Sequence, residues 1–293
     1  MSPSPAPKRT WLRRVALGIL AIGSMFWLWM VAVWPPPIWY RWYWPRQTAF
    51  MALRADQADS LSHHAQRRRQ AIEGKLPRLY DPVTLDRIAP VVRQAVLIAE
   101  DYRFFEHGGI DFQAIRQALG YRRDNFEFED QRDRAEMGRV IGQAWSRRNR
   151  IRGASTITQQ LAKNLYLSPT RNPLRKFKEA LTAYRLELAM SKTRILELYL
   201  NVVEFGPEIW GVEAAAQTYF GRPADQLTVE QAAALAGSLP FPLRSNPGFR
   251  PGRMQWRQQL VLRRMRGEQI QIPDDREVPE EKEPAEPDST GLR

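Results

Sequence analysis

The chain has 293 residues, 43% of them hydrophobic, so it can bury a sizeable core in one large domain or two small ones. Its formal net charge of +12 predicts an anionic partner, such as phosphate, nucleic acid or acidic lipid headgroups. Because there is no cysteine, disulfide frameworks and thiolate metal sites are excluded.

The N-terminal segment is apolar. From Val15 to Trp34 there is no charged residue, and about 20 such residues cross a bilayer as a helix. Four basic residues precede this stretch: Lys8, Arg9, Arg13 and Arg14. Their position favours a cytoplasmic N-terminus and an exported remainder. We therefore predict a basic cytoplasmic segment at 1–14 and a transmembrane signal anchor at 15–34.

An aromatic cluster follows the predicted anchor, as a belt at the outer membrane interface would: Trp39, Tyr40, Trp42, Tyr43 and Trp44. A cleaved signal peptide is the alternative, but the apolar segment is long and has no A-x-A site before Pro35. No second stretch of the sequence resembles a membrane span. Residues 35–80, which are polar from Gln47 onwards, are predicted to form a juxtamembrane stalk.

The next feature is an amphipathic helix that runs into the motif E-D-Y-R-F-F-E-H-G-G-I-D. Its apolar positions are Leu85, Ile88, Val92, Val96 and Ala99. Glu100 ends this helix, so partial desolvation would improve it as a base. Asp101 and His107 are expected to brace the turn by hydrogen bonds, and Asp111 suits the N-cap of a helix over 112–119. The charged stretch 120–152 is interpreted as a mobile insertion resting on the bilayer, or as a solvated loop.

A helix is predicted to begin after G-A-S-T, with Thr156 as its N-cap and Gln159 as the capping-box partner. Ile157, Leu161 and Leu165 repeat at helical spacing and should face the core. Gln160 and Lys163 fall with Thr156 on another side. Free N–H groups at the helix start and four cations, Lys163, Arg171, Arg175 and Lys176, suit an oxyanion such as phosphate. The alternative is an ordinary capped helix followed by a solvated basic turn.

The following helix, about Leu174 to Met190, is apolar on two faces. Its main stripe is predicted to consist of Leu174, Phe177, Leu181 and Leu188. Glu179 lies opposite, with Ala183, Leu186 and Met190 along its own side, so it should not be a simply solvated residue. Either a salt bridge to Arg175 and Lys176 or a phosphate or metal site explains this arrangement.

The remainder continues as helices at about 192–201, 211–219, 228–239 and 254–265, and the alanine-rich ones indicate close helix packing. Residues 251–272 are predicted as a C-terminal basic helix, and 273–293 as a disordered acidic tail. With almost no period-two alternation, the fold class is all-α, a domain of roughly two hundred residues on a single membrane anchor.

Five blocks of this sequence resemble the peptidoglycan glycosyltransferases (glycosyltransferase family 51) of the monofunctional biosynthetic type. The blocks begin at Glu100, Gly153, Arg175, Lys192 and Gly211, and read E-D-Y-R-F-F-E-H-G-G-I-D, G-A-S-T-I-T-Q-Q-L-A-K-N, R-K-F-K-E-A, K-T-R-I-L-E-L-Y-L-N and G-V-E-A-A-A-Q-T-Y-F-G. Five blocks in order are a specific signal. The resemblance implies a lysozyme-like glycosyltransferase domain, placed at 81–250, on the periplasmic face of a bacterial inner membrane.

The resemblance also implies the reaction and its residues. Lipid II would be joined to a growing lipid-linked strand by an inverting β-1,4 transfer that releases undecaprenyl pyrophosphate. Glu100 and Glu179 would be catalytic, and Asp101, Phe104 and His107 would shape the motif. The substrate and its pyrophosphate would be bound by Ser155, Thr156, Gln159, Gln160, Lys163, Asn164, Arg171, Arg175 and Lys176. A pyrophosphate-bound Mg²⁺ or Mn²⁺ could reach Glu100 and Glu179, and no organic cofactor is expected.

The sequence holds no S-x-x-K or K-T-G motif, so no transpeptidase is expected and cross-linking is left to transpeptidase or division partners. A lysozyme-like enzyme that cleaves glycan is the nearest alternative, but a neutral leaving group needs no cation cluster. A non-catalytic membrane-tethered scaffold for lipid II or anionic lipid is a second alternative. Nucleic acid is not expected as a partner, because an exported domain rarely meets it.

Overall fold

The computed structural model describes residues 8–60, 79–118, 130–146, 155–167 and 173–270, and α-helices dominate them. The helices are α1 (Lys8–Val31), α2 (Ala49–Ser60), α3 (Pro90–Glu100), α4 (Phe112–Ala118), α5 (Gln131–Ser146), α6 (Ile157–Tyr166), α7 (Pro173–Ala189), α8 (Lys192–Val202), α9 (Val212–Phe220), α10 (Val229–Ser238) and α11 (Gly252–Met265). The predicted mainly helical class is confirmed. The predicted acidic tail lies outside the described residues.

One small sheet interrupts the helices. Its strands are β1 (Leu79–Tyr80), β2 (Glu204–Gly206) and β3 (Ile209–Trp210), in the order β1-β3-β2. β3 runs parallel to β1 and antiparallel to β2. Strands of two or three residues are too short to give an alternating pattern, which is why the sequence did not predict them.

The core is formed where α8, α9, α10 and α3 meet. α8 is buried on most of its surface from Ile195 to Val202. α10 brings small side chains, with Ala232, Ala233 and Ala236 fully buried, and so lets α3 and α11 pack closely on it. The predicted role of the alanine-rich helices in close packing is therefore confirmed.

Gly211 lies where β3 turns into α9, and its φ of +83° is one that L side chains rarely adopt. A Cβ at this position would lie 2.5 Å from the carbonyl oxygen of Asn201. Asn201 is itself buried, and its side-chain amide donates to the Val83 and Glu197 carbonyl oxygens, both at 2.8 Å. The backbone at Gly211 therefore has no room to move away from an added methyl group.

Gly211→Ala is expected to lower the free energy of unfolding by roughly 3 kcal/mol, since a backbone clash adds to an unfavourable φ. Gly221→Ala is the matched control, because Gly221 also has a positive φ, +64°, but nothing within 4 Å of an added Cβ. Chemical denaturation of both variants measures the difference. Equal losses of stability would show that the contact with Asn201 does not matter.

Two predicted elements need correction. The helix before Glu100 begins at Pro90 rather than near Leu85, because Pro90 occupies its first turn while Ile88 is extended. Ile88, Val92 and Val96 are nonetheless buried as predicted. The charged insertion is not a loop throughout, since α5 forms its central part; residues 120–129 and 147–152 lie outside the description.

The main apolar stripe predicted for α7 does not face the core. Leu174, Phe177 and Leu188 are exposed, and the ring of Phe177 contacts Trp27 of α1 with 6.3 Å between centroids. The buried face is the opposite one, which packs toward α6. Its members are Glu179, Ala183, Leu186 and Met190. The prediction that Glu179 is not simply solvated is therefore confirmed.

Part of the predicted stalk packs into the core. Thr48 and Met51 of the α2 region are almost completely buried. Arg194 of α8 donates to the carbonyl oxygens of Tyr40 at 2.8 Å and Tyr43 at 3.2 Å, which fastens the aromatic segment to the core. The segment therefore belongs structurally to the domain that follows.

α1 carries exposed apolar side chains from Val15 to Leu28. None of the helices in the described ranges combines the length and the apolar character needed to span a membrane.

Candidate active site

Glu100 stands at the C-terminal end of α3, where Asp101 leaves helical geometry. Gln160 of α6 donates its amide N–H to Glu100 Oε2 at 2.9 Å. Arg257 of α11 places Nη2 3.6 Å from Glu100 Oε1. The Glu100 side chain is 13% exposed, so its carboxylate is held from two sides yet still reaches the surface.

A buried tyrosine orients the glutamine. Tyr199 of α8 donates its hydroxyl to Gln160 Oε1 at 3.0 Å, so the Gln160 amide nitrogen is turned toward Glu100. Burial, with a smaller contribution from the charges of Glu100 and Asp101, raises the pKa of Tyr199 well above its usual value. The hydroxyl therefore stays protonated and remains a donor.

The residues after Glu100 brace the start of α6. His107 Nε2 lies 2.9 Å from Asp101 Oδ1, and the Ile157 backbone N–H donates to Asp101 Oδ2 at 2.9 Å. Phe104 is fully buried beneath this turn. Asp101 thus satisfies a helix N-terminal N–H group and ties the first motif to the second.

The predicted N-caps are confirmed. Thr156 and Gln159 form a capping box, with Gln159 N–H donating to Thr156 Oγ1 at 3.1 Å and Thr156 N–H donating to Gln159 Oε1 at 3.2 Å. Asp111 accepts from the Ala114 N–H at 2.8 Å. The Thr156 hydroxyl also donates to the Gly109 carbonyl oxygen at 2.6 Å.

The residues of the α6 region that were predicted to contact substrate differ in burial. Thr156, Gln159 and Asn164 are buried, and the polar groups of Thr156 and Gln159 are used in the capping box. Ser155, by contrast, is exposed and accepts from Lys176 at 2.9 Å. Gln160 and Lys163 are only partly buried. Direct substrate contacts from the three buried side chains stay predictions.

Lys163 interacts with the charges of both predicted catalytic glutamates. Its side chain keeps some exposed surface, but burial of the ammonium group among protein atoms lowers its pKa. The charges of Glu179 and Glu100 oppose that shift, whereas Lys176 and Arg175 add to it. Lys163 Nζ also lies 5.9 Å from the ring centre of Phe50, so α2 forms part of the site wall.

Glu179 forms two ion pairs within α7. Arg175 Nη1 lies 2.9 Å from one carboxylate oxygen and Lys176 Nζ lies 2.5 Å from the other. Only 4% of the Glu179 side chain is exposed, whereas Lys176 is about half exposed. Arg175 and Lys176 thus pair with this carboxylate, and Lys163 interacts with its charge. Arg171 lies outside the described residues.

Glu100 and Glu179 do not fit as ligands of one divalent ion in this arrangement. Both oxygens of Glu179 are in ion pairs, and those of Glu100 face Gln160 and Arg257. In the part of the chain that the structure describes, the carboxylates and imidazole close enough to share an ion belong to Asp101, His107 and Asp111. Asp111 is already paired there with Arg103 at 2.6 Å.

Arg257 and Tyr199 are the site residues that the sequence analysis missed. Arg257 lies in the segment predicted as a separate basic helix. It shares a helix face with Met254 and Val261, which are buried. An arginine within such a buried stripe was the signal that could have identified it.

Comparison with known proteins identifies the family of this chain. A family model described as Transglycosylase matches residues 70–266. A biosynthetic peptidoglycan transglycosylase of Bordetella pertussis (strain Tohama I) is 38% identical over 275 residues, covering 92% of this chain and 100% of that protein. A protein of the same name from Escherichia coli (strain SMS-3-5 / SECEC) is 37% identical over 268 residues, covering 90% and 94%. Since these matches include every block around Glu100, Lys163 and Glu179, the chain belongs to the transglycosylase family.

Proposed function

We infer that this protein is a peptidoglycan glycan polymerase that joins lipid II units into glycan strands. The main support for this inference is the Glu100 carboxylate, which Gln160 and Arg257 contact and whose charge interacts with Lys163. A base and a cation cluster are the two groups that transfer from a pyrophosphate donor requires. The relatives named above carry the corresponding activity in their names.

The proposed chemistry is a single displacement. The 4-hydroxyl of an incoming lipid II attacks the anomeric carbon of the lipid-linked strand while Glu100 accepts the hydroxyl proton. The new C–O bond forms as the bond to pyrophosphate breaks, so the anomeric centre inverts to a β-1,4 link. Fixing the carboxylate with Gln160 keeps its free lone pair directed at the acceptor.

The leaving pyrophosphate is stabilised by the cations of α6 and α7. Lys163 is partly desolvated, which strengthens its attraction to developing negative charge. Lys176 bridges Ser155 and Glu179 and is half exposed, so it can turn toward an arriving pyrophosphate while Arg175 keeps Glu179 paired. Glu179 holds these cations in place. A divalent ion would have to arrive with the pyrophosphate, because neither glutamate is arranged to receive it.

The function is tested by incubating fluorescent lipid II with the detergent-solubilised full chain and separating the products on a gel. A ladder of lysozyme-sensitive polymer is the expected result. Shortening of preformed glycan without a ladder would favour the hydrolytic alternative. Binding of lipid II without turnover would favour the scaffold.

We propose that α1 anchors this domain in a bacterial inner membrane, with the catalytic part in the periplasm. The exposed apolar side chains of α1 and the aromatic residues after it support this placement, as does the lipid nature of the substrate. Transpeptidases or division proteins would then complete cross-linking.

The anchor has a direct test. The full chain is expected to stay with membranes in alkaline carbonate, whereas a variant lacking residues 1–34 is expected to be released because the apolar helix is gone. A C-terminal alkaline phosphatase fusion of the full chain should be active, since that reporter works only after export. A cytoplasmic C-terminal domain would contradict the proposed topology.

A further inference from the structure

Arg257 is almost entirely buried, with 4% of its side chain exposed, although it belongs to a helix whose surface is strongly basic. Its neighbours along the same face, Met254 and Val261, are apolar. An arginine in this position loses hydration that an apolar residue would not lose. A buried guanidinium needs an anionic or hydrogen-bonding partner to offset this loss. The guanidinium of Arg257 lies 3.6 Å from Glu100 Oε1.

The approach of α11 to the site depends on Gly237 of α10. A Cβ at Gly237 would lie 2.8 Å from the Met254 carbonyl oxygen and 3.5 Å from Arg257 Cβ. The absence of a side chain at Gly237 therefore allows α11 to come close enough for Arg257 to reach the end of α3. Only a backbone shift could relieve a clash at this distance.

Contacts near the start of α11 hold this part of the helix in position. The Met254 N–H donates to Ser245 Oγ at 3.0 Å, and Ser245 donates to the Arg250 carbonyl oxygen at 2.6 Å. Gln258, the residue after Arg257, donates to the Glu230 carbonyl oxygen at 2.8 Å. These hydrogen bonds hold the backbone on both sides of Arg257 in place.

We propose that Arg257 is a positioning residue for Glu100. The helix α11 therefore contributes a residue to the active site. Gln160 holds one carboxylate oxygen from α6, and Arg257 faces the other from α11. The two contacts fix the plane of the carboxylate. The inference rests on the proposed role of Glu100 as the base.

Other charged and titratable groups act on Glu100 as well. Lys163 of α6 and Tyr199 of α8 both interact electrostatically with the Glu100 carboxylate. Asp101 follows it directly in the chain. Without Arg257, Glu100 would still interact with the positive charge of Lys163. Lys163 is on the side where the pyrophosphate is proposed to bind.

The test compares Arg257→Met and Arg257→Lys with Arg263→Met, an exposed arginine of the same helix. Arg257→Met is expected to lower kcat by about 10–100-fold with a nearly unchanged KM for lipid II, because transition-state positioning is lost. Arg257→Lys should recover part of the rate, and Arg263→Met should behave as wild type.

Gly237→Ala provides a second variant with Arg257 intact. It should show the same loss of kcat, because α11 is pushed away from α3. Melting curves of all variants separate this effect from unfolding. A wild-type rate in folded Arg257→Met, or a loss of activity that appears in KM and not in kcat, would overturn the positioning role. Absence of polymer from the wild-type protein would instead overturn the proposed function itself.

Discussion

Glu100→Gln is expected to lower kcat for glycan polymerisation by about 10²–10⁴-fold, because an amide of the same size cannot accept the acceptor's proton. The substitution keeps the shape of the side chain and one acceptor oxygen. Binding of lipid II should therefore change much less than kcat. Steady-state turnover of labelled lipid II measures both constants.

Glu106→Gln is the matched control for this substitution. Glu106 belongs to the same motif but is exposed. It should retain the wild-type rate, and both variants should melt near the wild-type temperature. A Glu100→Gln enzyme that kept more than about a tenth of the wild-type kcat would not be compatible with Glu100 as the general base.

Lys163→Met is expected to lower kcat by about 10²–10³-fold, the loss typical of removing one preorganised charge from a transition state. Lys163→Arg restores a cation and should recover part of the rate. Lys178→Met removes a lysine from α7 outside the proposed site and should have little effect. If Lys163→Met raised only KM, Lys163 would bind the ground state rather than the transition state.

The pH dependence gives an independent measure of Lys163. Burial lowers its pKa, so the side chain loses its proton at a lower pH than an ordinary lysine would. Since the charged form is the active one, polymerisation should decline on the alkaline side as pH rises through that lowered pKa. Lys163→Arg should move this decline to higher pH, because an arginine stays protonated. An unchanged alkaline limb would show that another group controls it.

The α7 helix shows how far a periodic pattern can predict a fold. Its sequence is apolar on two faces, and helix periodicity alone does not say which face meets the core. The stripe with Phe177 is largely exposed, because α6 packs on the other side, where Glu179 lies. The burial of Glu179 was still predictable, because Ala183 and Leu186 follow it along the same face.

Contacts within a segment were predictable, whereas contacts between distant segments were not. The capping box of Thr156 and Gln159 depends on neighbouring residues and could be predicted from their spacing. Arg257 reaches Glu100 from 157 residues away along the chain, and only the packing of α10 on α11 brings it there. The short sheet and the burial of Met51 in the predicted stalk depend on tertiary packing in the same way.

The stoichiometry of one reaction with doubly labelled lipid II tests the proposed glycosyl transfer most directly. One label reports the sugar and the other reports the polyprenyl pyrophosphate. We expect lysozyme-sensitive polymer from the wild-type protein and one polyprenyl pyrophosphate released for each new glycosidic bond. Glu100→Gln should form both products about 10²–10⁴-fold more slowly. Polymer formation by Glu100→Gln at the wild-type rate, or pyrophosphate release without polymer, would contradict the proposed transfer.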